Sequence, residues 1–291
     1  MAFIQSENGS LFRIDPSVAK FTGVELEPAH NAADPFPHTV IDEFLPSSII
    51  KICQEQFPDC PDPESTTFHR RQERAKTQFS PDYLNDELRL IFATLSGRPF
   101  IHILENITGI SGLIADPYFM GGGFHETQTG GHLGVHVDFN CHKKLGLERR
   151  VNLIIYLNED WQEGYGGQLE LWDRSMTRCV QSIVPIANRA VVFSTSDISY
   201  HGHVNPVAEP TGRSRRSIAL YFYTATWDPT KRSATTIFKT RPNSGDVRDW
   251  RLQTERFWQE FTPPALYRPA LRVTRKLRRF AAQQRPGFPI G

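Results

Sequence analysis

Between about residues 113 and 228, turn-forming residues cut the chain into short apolar runs, and a chain punctuated in this way has few folds open to it. "IADPYFM", "HLGVHVDF", "VNLIIYLN", "GGQLELWD", "CVQSIVP", "RAVVFST" and "RRSIALYFYT" are candidate strands, joined by connections such as "NEDWQEGYGG" and "NPVAEPTGRS". Strands of this length and spacing bury one face each, and two layers of them make an all-β sandwich or barrel. The upstream texture differs. "HTVIDEFL" reads as a short strand, and Pro46-Ser47-Ser48 then starts a helix whose Ile49, Ile50, Cys53 and Phe57 share one face. "NDELRLIFATLSGRPFIHILENITG" reads as two helices broken at Gly97-Arg98-Pro99. Residues 60 to 80 are polar and basic and are expected to be an exposed loop. The expected class is therefore mainly β with flanking helices. The expected domains are an irregular segment 1–35, a domain 36–228 (support helices 36–112, β-sandwich core 113–228) and an extension 229–291.

Composition excludes several classes. The chain has 291 residues, 39% hydrophobic and 22% charged, which is globular rather than disordered. A formal net charge of +1 gives no global field for nucleic acid. No run is apolar for long enough to span a membrane. "MAFIQSENGSLFRIDP" has no basic start followed by an apolar core, so no leader peptide is expected. The four cysteines (Cys53, Cys60, Cys141 and Cys179) show no CxxC pairing and read as reduced thiols of a cytoplasmic protein.

One candidate strand carries unexpected cargo. In "GVHVDFN", His136 and Asp138 lie two residues apart, so they share a face, with Val135 and Val137 on the other. Gly134 on their side leaves room. A carboxylate beside an imidazole on a buried face is costly unless it is paired or metal-bound. One nitrogen and one oxygen ligand make two-thirds of the facial triad that non-haem Fe(II) oxygenases use. The third ligand is expected downstream, and "SYHGHVNPV" offers His201 or His203, which alternate onto one face if extended. The bland alternative is a hydrogen-bonded His-Asp pair in a sheet.

"RSRRSIALYFYT" adds a second signal. Arg215, Ser217, Ala219 and Tyr221 point one way, and Arg216, Ile218, Leu220 and Phe222 the other. A buried arginine at the mouth of a sandwich needs an anion, and its guanidinium fork suits a carboxylate, with the Ser217 hydroxyl as an added donor. Such a charge-assisted bond contributes about 1.5–3 kcal/mol, enough to hold a small dicarboxylate. An exposed arginine at a strand start is the competing reading.

His136-x-Asp138, the later His201, and Arg215-x-Ser217 together resemble the 2-oxoglutarate and Fe(II)-dependent dioxygenase superfamily, and within it stand-alone bacterial members of the prolyl-4-hydroxylase-like branch. "PYFMGGGFHETQTGGHLGVHVDFN", "ERRVNLIIYLNEDWQEGYGGQLELWD", "FSTSDISYHGH" and "RRSIALYFYT" carry the resemblance, which covers residues 36 to 228. It implies a double-stranded β-helix, or jelly roll. It implies Fe(II) held by His136, Asp138 and His201, with "STSDISYH" favouring His201 over His203. It further implies 2-oxoglutarate held through Arg215 and Ser217, with Tyr118 contributing a hydroxyl, O2 as oxidant, and ascorbate as a stimulant. A carboxylate at position 138, where related halogenases carry a small residue, implies hydroxylation. His125 and His132, in "GGGFHETQTGGH", are expected on a mobile loop near the entrance, and His142 at the surface.

The expected activity is hydroxylation of an unactivated C–H bond of an amino acid, prolyl-type residue or natural-product intermediate, with 2-oxoglutarate converted to succinate and CO2. The rivals are a Zn-dependent hydrolase using the same ligands and a non-catalytic β-sandwich binding module. The substrate is expected to be a small molecule, a peptidyl residue or a carrier-bound group. Beyond Glu260 no acidic residue occurs, while Arg268, Arg272, Arg275, Lys276, Arg278, Arg279 and Arg285 are all basic. Ala270, Val273, Leu277 and Phe280 recur at helical spacing, so a basic amphipathic helix over about 269–282 is expected. It packs on the core or docks an acidic partner.

Overall fold

A computed structural model describes residues 2–7, 11–226 and 234–246, all within the unit Met1–Asp246. The basic helix expected over 269–282 lies outside the described residues. Ahead of the sheet come α1 (Pro16–Ala19), α2 (Glu27–Ala32), α3 (Ser47–Glu55), α4 (Asp86–Leu95) and α5 (Arg98–Thr108). The break between α4 and α5 falls where Pro99 occupies the first turn of α5, a position that needs no backbone donor. The first 35 residues are not irregular as expected. The α5 residue Asn106 donates its side-chain amide to the carbonyls of Ala19, Lys20 and Thr22, which fixes the end of α1.

The strands are β1 (His38–Ile41), β2 (Thr66–His69), β3 (Glu73–Phe79), β4 (Ile114–Ala115), β5 (Gly123–Val137), β6 (Cys141–His142), β7 (Leu147–Tyr156), β8 (Leu169–Trp172), β9 (Cys179–Ile183), β10 (Ala190–Ser194), β11 (His201–His203), β12 (Arg215–Thr224) and β13 (Ile237–Phe238). The ladders between them are antiparallel, in the order β1-β10-β7-β12-β5-β11-β8-β9. The sheet curls on itself as a double-stranded β-helix. β5 makes this possible: its first half pairs with β12 and its second half with β11. It thereby belongs to both walls.

Alternation along the strands separates two interiors. Val151, Leu153 and Ile155 of β7, Ala190 and Val192 of β10, and Ile218, Leu220 and Phe222 of β12 face the helices and join Phe100, Ile103, Leu104 and Ile107 of α5 in the main core. Each fully buried side chain of this kind contributes about 1.5–3 kcal/mol, so the helices clamp one wall firmly. The opposite face turns Tyr156, Val191 and Phe193 toward Leu169, Leu171 and Ile183, inside the curl. The split on β12 follows the expected alternation of odd and even positions.

Three segments depart from expectation. Residues 66–79 form a β2–β3 hairpin whose second strand pairs along β5. The segment is too polar to signal a strand by itself, because its order comes from an edge that lies far away in sequence. "GGGFHETQTGGH" is no mobile loop: from Gly123 onward it runs as β5, His125 and His132 included. Beyond β12, β13 returns to pair with the end of β5. Among the described residues no helix is long and apolar enough to cross a membrane.

Candidate functional site

β5 and β11 run side by side with His136 directly opposite His201, so both imidazoles project from one face of the sheet. Gly202, between the two β11 histidines, permits this pairing: a Cβ there would stand 2.8 Å from the Leu133 carbonyl oxygen, too close for any larger residue. Asp138 follows the last residue of β5 and brings its carboxylate to the same point. His136 Nε2 is 3.5 Å from Asp138 Oδ1, and His201 Nε2 is 3.4 Å from Asp138 Oδ2. The ligand atoms of the three side chains all lie within 4.8 Å of one another, and they make the one such group among the described residues. His203 is not part of it.

Both imidazoles are fixed in the same way. His136 Nδ1 lies 2.9 Å from the Gly134 carbonyl, and His201 Nδ1 lies 2.9 Å from the Ser199 carbonyl. A carbonyl only accepts, so each Nδ1 carries a proton, and Nε2 is the ring nitrogen turned inward. Burial, reinforced by the neighbouring His136, pushes the His201 pKa down to about 4, which keeps it neutral. Gly134 does less to open the site than its position suggests. Its N–H donates to the Gln72 carbonyl of the hairpin, 2.6 Å away, so the space beside it is filled.

The third side chain has partners that local sequence patterns do not reveal. Asn152 donates to Asp138 Oδ2 at 2.7 Å, and Arg149 Nη2 stands 3.0 Å from the same oxygen. Arg149 Nε in turn donates to Asn152 Oδ1 at 2.9 Å. The guanidinium is held between aromatic faces, 4.4 Å from Phe139 and 3.6 Å from Tyr221. Burial alone would raise the Asp138 pKa, but Arg149 and the two imidazoles outweigh it and hold the carboxyl well below the usual range. The one signal in the sequence is "ERRVNLIIY": an arginine heading an apolar strand, the same pattern that singles out Arg215.

Arg215 lies on the same interior, buried, with Nε donating to the Gly167 carbonyl at 2.7 Å. Its cross-strand partner on β5 is Thr127, while Ser217 sits opposite His125 of β5 and Tyr156 of β7. Directly opposed residues share a face, so Thr127, His125, Ser217 and Tyr156 join Arg215 there. The guanidinium carbon lies 5.0 Å from the Tyr156 ring. The Thr127 hydroxyl and His203 Nδ1 are buried with no hydrogen-bond partner, while the Tyr156 hydroxyl faces the Arg215 guanidinium. Burial and then the Arg215 charge push the His203 pKa well down. Arg216 faces outward, pairs with Glu126 and stacks on Phe57.

Two expected placements are corrected. Tyr118 is not on a strand: it is 52% exposed on a turn, its ring against His142 and Lys144. Pro117 ends β4, and the Asp116 carboxylate then accepts the N–H groups of Tyr118 and Met120, turning the ring outward. The tyrosines that face the interior are Tyr156 and Tyr221. His142 is not exposed but fully buried, with Nε2 3.2 Å from Asp116 Oδ1.

Residues 122–223 match the family model described as the 2OG-Fe(II) oxygenase superfamily. A relative named prolyl 3-hydroxylase OGFOD1, from Mus musculus, is 34% identical over 87 residues, which is 28% of this chain and 16% of that protein. The chain thus spans well under two-thirds of that relative's length. Similar solved structures include a Pseudomonas putida prolyl-4-hydroxylase (19% identity, TM-score 0.47, covering 69% of this chain and 98% of that one). Another is a Trichoplax adhaerens prolyl hydroxylase in complex with a hypoxia inducible factor peptide fragment (17% identity, TM-score 0.48, covering 72% and 90%).

Proposed function

We propose that this chain, which matches the 2OG-Fe(II) oxygenase superfamily over residues 122–223 and brings His136, Asp138 and His201 together, hydroxylates an unactivated C–H bond at the expense of 2-oxoglutarate. The observation that carries the reading is the shared interior. One face holds a facial His136/Asp138/His201 set, and beside it lies a buried arginine ringed by unpaired polar groups.

The donor set fits Fe(II): two imidazoles, each with Nδ1 engaged by a backbone carbonyl and Nε2 turned inward, and one carboxylate. With Fe(II) and 2-oxoglutarate bound, the centre supplies oxidation of a C–H bond by O2, coupled to conversion of 2-oxoglutarate to succinate and CO2. The chain's own residues do the rest. Asn152 and Arg149 engage Asp138 Oδ2, which leaves Oδ1 as the oxygen free to bind a metal. Arg215 offers a bidentate fork to the distal carboxylate of the cosubstrate, with the Ser217 hydroxyl beside it. Thr127, Tyr156 and His203 supply further polar groups at that end, and the buried, unpartnered Thr127 hydroxyl and His203 Nδ1 are what an anion-sized site leaves behind. A zinc hydrolase has no need of this second site.

For the substrate, prolyl residues are the first class to test, since the 34% identical stretch lies in a protein named as a prolyl 3-hydroxylase. Free amino acids and natural-product intermediates follow. The test is succinate release in the presence of Fe(II), 2-oxoglutarate and ascorbate, screened over prolyl peptides and small molecules, with mass spectrometry of the product. A gain of one oxygen atom is the expected result. Metal uptake without any binding of 2-oxoglutarate would overturn the reading. The basic stretch beyond residue 265 is proposed as a dock for an acidic partner, tested by deleting residues 265–291 and comparing native-substrate turnover across a range of salt.

A further inference from the structure

Strand β13 lies beyond the stretch that matches the family model, yet it reaches the metal-ligand cluster. Phe238 is the cross-strand partner of His136, and Ile237 that of Val137. The Lys239 N–H donates to the Val135 carbonyl at 3.1 Å, and Ala234 and Asn140 exchange two further bonds. The segment is thus tied at both ends to the edge of β5. Strand alternation then divides its side chains. Ile237 joins Val135, Val137, Trp172 and Tyr200 on the outer face. Phe238 turns inward, and its ring centre lies 5.2 Å from that of His136, at 34°.

Four rings consequently touch in series: His201, His136 and Phe238 on adjacent strands, and Phe193 meeting His201 from β10 across the interior. The spacings are 4.8 Å, 4.4 Å and 5.2 Å. The two ends of the series differ. Phe193 is fully buried inside the curl, whereas Phe238 is half-buried, with one side on the imidazole. Ile237, the other residue of β13, faces the outer side, and Lys239 and Thr240 beyond it are exposed.

We propose that β13 is a wall of the substrate entrance and that Phe238 limits the size of the group that reaches the His136/Asp138/His201 cluster, presenting it with an apolar aromatic face. The proposal rests on the oxygenase reading for its meaning, but the wall itself can be tested without metal. In the metal-free protein, diethyl pyrocarbonate modifies accessible imidazoles, and peptide mapping reports each histidine separately. We expect His136 to react slowly in the wild type, several-fold faster in Phe238→Ala and at an intermediate rate in Phe238→Leu. The exposed His69 should react alike in all three. Equal His136 rates in the three proteins overturn the wall.

Size selection is read on the Co(II)-loaded protein by visible absorption, with acetohydroxamate and benzohydroxamate as small and large chelating probes. Phe238→Ala should shift the ratio of their dissociation constants toward the larger probe by about tenfold, the scale on which an apolar pocket discriminates between ligands that differ by a small group. An unchanged ratio overturns the size limit. A wild-type protein that takes up no Co(II) defeats the metal reading instead, and the carbethoxylation rates then decide for or against the wall alone.

Discussion

Asp138 holds a negative charge where water has little access, and its neighbours explain how. A buried carboxylate stripped of its cation costs about 3–5 kcal/mol. Arg149→Met should therefore lower the stability of the metal-free protein by about that amount. Added Co(II) should restore more stability to this variant than to the wild type, because the metal replaces the lost positive charge. Thermal unfolding with and without Co(II) measures this, and an equal deficit in both conditions would reduce Arg149 to packing between Phe139 and Tyr221. Asn152 acts differently, since it carries no charge and only orients the carboxylate. Asn152→Ala should weaken Co(II) binding by about 10- to 100-fold, the usual penalty for losing a ligand's supporting hydrogen bond. Calorimetric titration reads it, and an unchanged affinity would show that Arg149 suffices to orient Asp138.

Secondary-structure elements show where a sequence speaks and where it is silent. The α4–α5 break, the buried face of α3 and the two faces of β12 are legible locally, because proline placement and apolar periodicity act over a few residues. The same period-2 logic puts His136 and Asp138 on one side. Tyr118 defeats that logic because one proline and one aspartate end a strand that apolar content alone would extend. The β2–β3 hairpin and β13 leave no local signature because both are ordered by β5, an edge distant in sequence. Asn152 is silent, and Arg149 shows only as an arginine heading an apolar strand, for a related reason: their partner Asp138 lies just beyond the end of another strand. Gly202 tests how the ligand strands fit together. Gly202→Ala drives a Cβ against the Leu133 and Gly134 carbonyls, so we expect a loss of about 1–3 kcal/mol, as for other overpacked sites, together with weakened metal binding. Full metal affinity in that variant would mean that β11 moves without harm. The anchoring of α2 should respond to acid. His30 is enclosed between Thr39 of β1 and Ser194 of β10, and burial, with His38 nearby, pushes its pKa from 6.5 down to about 4. The unfolded chain then binds this proton first, so the contribution is complete above about pH 6.5 and is lost as pH falls toward 4. His30→Gln should flatten that part of the stability profile, and an unchanged slope would assign the acid sensitivity to other groups.

At the largest scale, among the described residues, a helical layer clamps one wall of a curled sheet, and the opposite wall carries His136 and His201, the proposed metal ligands. The helices bury Ile218, Leu220 and Phe222, and the same strand turns Arg215 and Ser217 inward, so the main core sets the register of the proposed anion site. That coupling makes the two halves of the interior separable by mutation. Isothermal titration of 2-oxoglutarate into the anaerobic Fe(II)-loaded protein tests the central reading most directly, with wild type, Arg215→Ala and His136→Ala compared. We predict one 2-oxoglutarate per chain in the wild type. Arg215→Ala should keep its metal and lose about 10- to 100-fold in 2-oxoglutarate affinity, as expected for one charge-assisted carboxylate contact. His136→Ala should lose the metal and, with it, tight 2-oxoglutarate binding. An Fe(II)-loaded wild-type protein that binds no 2-oxoglutarate, or an Arg215→Ala variant that binds it as tightly as the wild type, would contradict the assignment.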